Sequence, residues 1–257
     1  MGCDCSTLKE DSLIANEDLI LTYETGLGWK SGCLQQLLVE LQGLETDLSA
    51  RQLAAILTQL QVRLPDFRDC ASPVTHLYAC LKTKKLYSQR KLVLLAVLLG
   101  AGKALEATEL LEVLYQLDAA TVDIAALAAD ACELALISLP MYVGLELELA
   151  QDCATLSKLA TYLEKLKQGR AEAVRQLRKA IAREESCIRQ GDLRERLQET
   201  GSLLTTRMLR KTAVSRPKRR PARLNSILKT PVASPLTSPP TSQRSVRFLL
   251  DSAEPTE

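Results

Sequence analysis

Aromatic residues make up only 4 % of this 257-residue chain, and histidine occurs once, as His76. So few rings among 46 % hydrophobic residues disfavour a β-sandwich and point to helices built from Leu and Ala. One imidazole excludes metal sites that need two. Eight cysteines are present (3, 5, 33, 70, 80, 132, 153 and 187), but no CxxC pair and no regular spacing. With no signal peptide in view, a disulfide framework is not expected; several thiols read as core fillers. The longest unbroken apolar run, Leu92 to Leu99, is far too short to span a bilayer, and no transmembrane helix is expected. Acidic residues are missing altogether from Thr200 to Leu250.

That last absence exposes an asymmetry behind the net charge of +2. Residues 1–150 carry 11 Lys/Arg and 20 Asp/Glu, a net of −9; residues 151–257 carry 22 and 11, a net of +11. An acidic body with a basic arm suits an anionic partner or surface.

From Gly32 the chain reads as amphipathic helices. Leu34, Leu37, Leu38 and Leu41 recur at helical spacing and stop at Gly43. Thr46 or Asp47 is the expected cap for the next stripe, Leu48, Leu53, Ile56, Leu57 and Leu60, which ends at Pro65. Further helices are expected over Pro73 to Leu81, Gln89 to Leu99 behind Ser88, Leu105 to Leu117, and Ile124 to Leu139, the last broken by Pro140. No stretch shows sustained strand alternation. From Thr155, Leu156, Leu159, Leu163, Leu166, Ala173, Leu177, Ala180 and Cys187 approach heptad positions, with Arg170 and Glu184 interrupting. A long helix folded back on the body is the plain reading, and self-association through the seam is the alternative.

The expectation is an all-α protein in four segments: a flexible, acylation-competent 1–30, a multi-helix domain over 31–150, a long amphipathic helical segment over 151–205, and a disordered basic tail over 206–257. In order of elements, Leu77 to Tyr142 resembles an EF-hand pair that has lost its calcium ligands. A loop begun at Asp118 has Ala120 and Val122 where oxygen ligands belong, and the loop Lys82-Thr83-Lys84-Lys85 is cationic.

Chemistry-bearing constellations are few. Gly100-Ala101-Gly102-Lys103 lacks the first Gly and the final Ser/Thr of a phosphate loop, having Val97 and Ala104 there. Cys80 stands one turn from His76, a spacing that permits a dyad but more commonly marks packed or solvated residues. No metal site, cofactor, small-molecule substrate or enzymatic activity is expected.

The two ends are more informative. Met1-Gly2-Cys3-Asp4-Cys5-Ser6 fits the N-myristoylation pattern, with Gly2 the acyl acceptor and Cys3 and Cys5 candidates for a second, thioester-linked chain. One myristoyl chain gives only marginal anchoring, so a second chain or a basic patch completes it. Arg216, Lys218, Arg219, Arg220 and Arg223 supply such a patch. The same run also fits a nuclear import signal or a solvated spacer. Specific nucleic-acid binding is not expected, because no aromatic or helix-turn-helix pattern accompanies the charge.

Seven of the ten prolines lie between Pro217 and Pro255 among Ser and Thr, a composition expected to be disordered. Within it stand Ser226-Ile227-Leu228-Lys229 and, after a spacer of fourteen residues, Arg244-Ser245-Val246-Arg247-Phe248. These resemble the SILK and RVxF motifs by which regulatory subunits hold the catalytic subunit of protein phosphatase 1. The resemblance implies that Val246 and Phe248 enter pockets from an added strand, with Arg244 at an acidic rim. Ile227 and Leu228 would fill a second groove while Lys229 meets acidic residues. The spacer reaches about 20 Å as a coil and about 45 Å extended. Ser245, in a basic context, and Thr230, Ser234 and Ser238, each followed by Pro, are candidate phosphorylation sites. The sequence thus suggests a phosphatase regulatory or targeting subunit at the cytoplasmic face of a membrane. A lipid-anchored helical adaptor or calcium-sensor-like protein with fortuitous tail motifs, and a nuclear scaffold directed by the basic run, are the alternatives.

Overall fold

Helices carry most of the chain that the computed structural model describes, namely residues 7–44, 47–118, 120–183, 185, 187–200 and 204–215, with side chains from residue 15 onward. The chain divides into two units, Met1–Pro217 and Lys218–Glu257. All described residues belong to the first.

α1 (Thr7–Gly26) is followed by α2 (Cys33–Leu41), whose stripe Cys33, Leu34, Leu37 and Leu41 is buried. β1 (Asp47–Leu48) then leads into α3 (Ala50–Gln59). The cap of α3 is Ser49. Its Oγ accepts from the Gln52 N–H at 3.3 Å, and Gln52 Oε1 accepts from the Ser49 N–H at 2.9 Å, a reciprocal box. Of the two expected caps, Asp47 lies in β1 and Thr46 falls outside the described residues. α4 (Pro73–Ala79), β2 (Lys82–Thr83), β3 (Leu86–Ser88) and α5 (Gln89–Leu98) follow. β1 pairs antiparallel with β3, Leu48 opposite Tyr87, joining two helix–loop–helix units back to back.

The arrangement recurs. After a 3-10 turn, Ala104–Ala107, come α6 (Thr108–Leu114), β4 (Gln116–Asp118), β5 (Thr121–Asp123) and α7 (Ile124–Glu133). After α8 (Leu139–Leu149) come α9 (Cys153–Ala182), β6 (Cys187–Arg189), α10 (Asp192–Thr200) and α11 (Thr206–Val214). β5 pairs antiparallel with β6, Val122 opposite Ile188. The loops over 82–85 and 118–123, read from sequence as one EF-hand pair, therefore belong to different sheets. Each hairpin finds its third strand elsewhere: β3 pairs with residues 47–48, and β5 with a strand about 65 residues further on. These strands of two or three residues are too short to show alternation, which is why the sequence hides them.

Pro140 does not break its helix. α7 passes into a π-helical turn, Leu134–Ser138, in which the Leu139 N–H reaches back five residues to the Leu134 carbonyl. Pro140 then sits in the first turn of α8, where a missing N–H is tolerated. The result is one helical stretch, Ile124–Leu149, apolar and long enough by length and composition to cross a bilayer. Most of it is buried: it packs against α1, α4, α5 and α9 as the central core element.

α9 folds back on this core with Leu159, Tyr162, Leu166, Ala173, Leu177 and Ile181 inward. The seam interruption at Arg170 is an ion pair, its Nη2 2.6 Å from Glu133 Oε2. Cys187 belongs to β6 rather than to the seam, and Glu184 lies outside the described residues. Two segment boundaries also shift. Residues 7–26, expected to be flexible, form α1, with Ile20 and Leu27 fully buried. Residues 206–214, assigned to the tail, form α11, capped by Thr205 Oγ1 accepting from the Met208 N–H and burying Leu209, Arg210 and Ala213.

Candidate anchoring and docking site

The residues to which sequence assigns function flank this body. Gly2, Cys3 and Cys5 precede the described residues. Arg216, Lys218, Arg219, Arg220 and Arg223, the docking residues Ser226, Ile227, Leu228, Lys229, Arg244, Val246 and Phe248, and the phosphorylation candidates Thr230, Ser234, Ser238 and Ser245 all follow them. The two elements that lead into those segments, α1 and α11, are joined in the interior by a polar clasp that the sequence reading missed.

Glu17, Ile20 and Glu24 recur every three or four residues and share one face of α1; Thr206, Leu209, Arg210 and Ala213 do the same on α11. Arg210, fully buried, lies between the two carboxylates. Its Nε donates to Glu17 Oε2 at 2.9 Å and its Nη2 to Glu17 Oε1 at 2.8 Å, a side-on fork. Nη1 donates to Glu24 Oε1 at 2.6 Å, and Nη2 also reaches Glu24 Oε2 at 3.2 Å. Two hydroxyls complete the shell: Thr206 Oγ1 donates to Glu24 Oε2 at 3.0 Å, and Tyr162 Oη of α9 to Glu17 Oε2 at 2.9 Å.

One further bond ties the clasp to the core. In the π register the Ala135 carbonyl would look to residue 140 for a donor, and Pro140 has none. Arg210 Nη1 donates to that oxygen at 3.4 Å. Burial alone would lower the guanidinium pKa; Glu24 and then Glu17 outweigh it and raise the value above the ordinary one. Burial, followed by Glu17, likewise raises the Tyr162 hydroxyl. Such a cluster is costly to break, since removing the buried cation strands two carboxylates.

The other constellations make local contacts. Cys80 Sγ lies against the backbone carbonyl of His76 at 3.4 Å, while the His76 residue is exposed. In the Gly100–Lys103 loop, the Ala101 carbonyl accepts from the Gly32 and Leu34 N–H groups at 2.9 and 3.2 Å, pinning the start of α2. A Cβ at Gly102 would collide with the Leu34 side chain. Carboxylates near the paired loops serve as caps. Asp118 accepts from the Ala120 N–H, which lowers its pKa, with Thr121 adding to the effect; Asp123 accepts from the Ala126 N–H. Buried Glu112 accepts from the Gly191 and Leu193 N–H groups at 2.9 and 3.2 Å and closes the loop before α10. Among the described residues, no three His, Cys, Asp or Glu side chains gather to hold a metal ion.

The clasp has a faint signature in sequence: two glutamates seven residues apart bracket Ile20 on what becomes a buried face. No protein-family model, no curated protein and no solved structure matches the chain, so what it does is argued from its own residues alone.

Proposed function

We propose that this protein is a non-catalytic regulatory or targeting subunit of protein phosphatase 1, held at the cytoplasmic face of a membrane by its acylated amino terminus. The observation that carries the reading is the co-occurrence of Ser226-Ile227-Leu228-Lys229 and Arg244-Ser245-Val246-Arg247-Phe248 in one segment. That segment lies in a unit separate from the one that holds the core. Ile227, Leu228, Val246 and Phe248 are the apolar anchors, and Arg244 and Lys229 meet acidic rims. The spacer makes the second docking event intramolecular, at an effective concentration roughly in the millimolar range. Gly2, with Cys3 or Cys5, provides the lipid. The body acts as an EF-hand-like scaffold whose paired loops carry caps in place of calcium ligands. Phosphorylation of Ser245 adds negative charge beside an acidic rim and weakens docking.

The test is capture of purified catalytic subunit by the full chain and by its Val246→Ala/Phe248→Ala variant. Two anchors of about 2 kcal/mol each predict a loss of roughly a thousandfold in affinity. Undiminished capture overturns the reading.

A further inference from the structure

α11 lies on the body as a ligand lies in a cleft. Its inward residues, Thr206, Leu209, Arg210 and Ala213, recur at i, i+3, i+4 and i+7, the spacing with which an amphipathic helix enters an apolar groove. Arg207 and Lys211 face solvent. The cleft is made by earlier elements. α9 is one wall, and Gly169 lets the α11 backbone come close at Ala213. α1 supplies Glu17 and Glu24, and the π-helical turn supplies the Ala135 carbonyl. The fit is incomplete along one side, where a groove stays open between Leu209 and Thr212 of α11 and Ala173, Leu177 and Ala180 of α9.

Three properties make α11 separable from that cleft. It is the last helix of the unit Met1–Pro217, so its departure threads no later element of the unit. At nine residues it is too short to hold helical order in water alone, and its order depends on being seated. Its polar attachment is concentrated: Arg210 bonds Glu17, Glu24 and Ala135, and Thr206 adds one bond to Glu24. An empty cleft would strand both carboxylates. Tyr162 donates to Glu17 but carries no positive charge, and Arg170, beside Gly169 on α9, is held by Glu133. The cleft therefore discriminates by charge, accepting a helix with an arginine at that point and rejecting one without it.

We infer that this cleft is a helix-recognition site of which α11 is the resident occupant. The partner it fits is an amphipathic helix of another protein that carries adjacent Leu and Arg, with a hydroxyl residue three positions before the Leu and a small residue three after the Arg. Such a helix displaces α11, so seating of α11 and capture of the partner exclude one another, and α11 is an intramolecular inhibitor of that capture. The inference does not depend on the phosphatase reading.

The probe is a fluorescein-labelled peptide of residues 204–215, titrated into the full chain. The parent should bind it weakly, because the tethered copy competes at an effective concentration roughly in the millimolar range. Lys211→Pro, at an exposed mid-helix position, breaks α11 without altering the cleft and should raise affinity by about a hundredfold or more. Peptide with Arg210→Met should bind that chain roughly a hundredfold more weakly than the parent peptide. Adding Glu17→Gln and Glu24→Gln to the chain should abolish the distinction. Equal binding of the two peptides to the Lys211→Pro chain, or no gain over the parent, overturns the inference. If the Lys211→Pro chain melts without a cooperative transition, restoration of that transition by the parent peptide alone supports the inference. A chain still unfolded at saturating peptide shows α11 to be an integral part of the core and overturns it. In the parent, α11 amides should exchange hydrogen at least about tenfold faster than those of α9. Exchange at one common rate also overturns the inference.

Discussion

Gly169 of α9 lies so close to the carbonyl group of Ala213 of α11 that a Cβ at residue 169 would overlap it. A glycine in mid-helix normally costs about 1 kcal/mol relative to alanine, yet here it admits the helix that carries Arg210. Local propensity and tertiary contact pull in opposite directions, and the contact prevails.

Gly169→Ala is therefore expected to destabilise, by roughly 1–3 kcal/mol, where propensity alone predicts a gain. Hydrogen exchange should show α11 amides losing protection before those of α7 and α8. A higher denaturation midpoint for Gly169→Ala would contradict the close approach.

Arg210→Met strands Glu17 and Glu24 in the interior and should cost about 3–5 kcal/mol in urea unfolding. The triple variant Arg210→Met/Glu17→Gln/Glu24→Gln removes the uncompensated charge and should recover most of that loss. A single variant within about 1 kcal/mol of the parent would mean that the cluster is not desolvated in solution.

Burial pushes the Cys132 thiol up to about 12 from an ordinary 9.0, and the Tyr142 hydroxyl up to about 12 from 10.0. Both groups are neutral when protonated, so the folded state holds their protons more tightly than the unfolded one. Their contribution is intact below pH 9 and falls as pH rises from 9 toward 12. Unfolding free energy measured at pH 8, 9 and 10 should decline, first through Cys132. Cys132→Val should flatten the step between pH 9 and 10. An unchanged slope in that variant would show that the thiol is not where the structure places it.

Much of the helical order was legible because it depends on neighbours three and four residues apart. Leu34, Leu37 and Leu41 announce α2, and the run behind Ser88 announces α5 and its stop at Gly100. α1 and α11 were not legible. Their inward faces carry Glu17, Glu24, Thr206 and Arg210, residues that a polarity pattern assigns to solvent, and their partners lie about 190 residues away. The same blindness applied to β1 and β6, whose pairing depends on segments remote in the chain.

By itself, the amino-acid order determined that the body is helical, that the charge is split between residues 1–150 and 151–257, and that the short motifs on which the proposed function rests lie outside the apolar helical stripes. Those properties are local, written in periodicity, composition and motif. Only the tertiary structure decided that Pro140 passes through a core helix, that Arg210 fills the carbonyl Pro140 leaves unserved, and that the same Arg210 joins α11 to Glu17 and Glu24 of α1. Charges can satisfy one another across such distances only once the surrounding apolar faces have closed and excluded water.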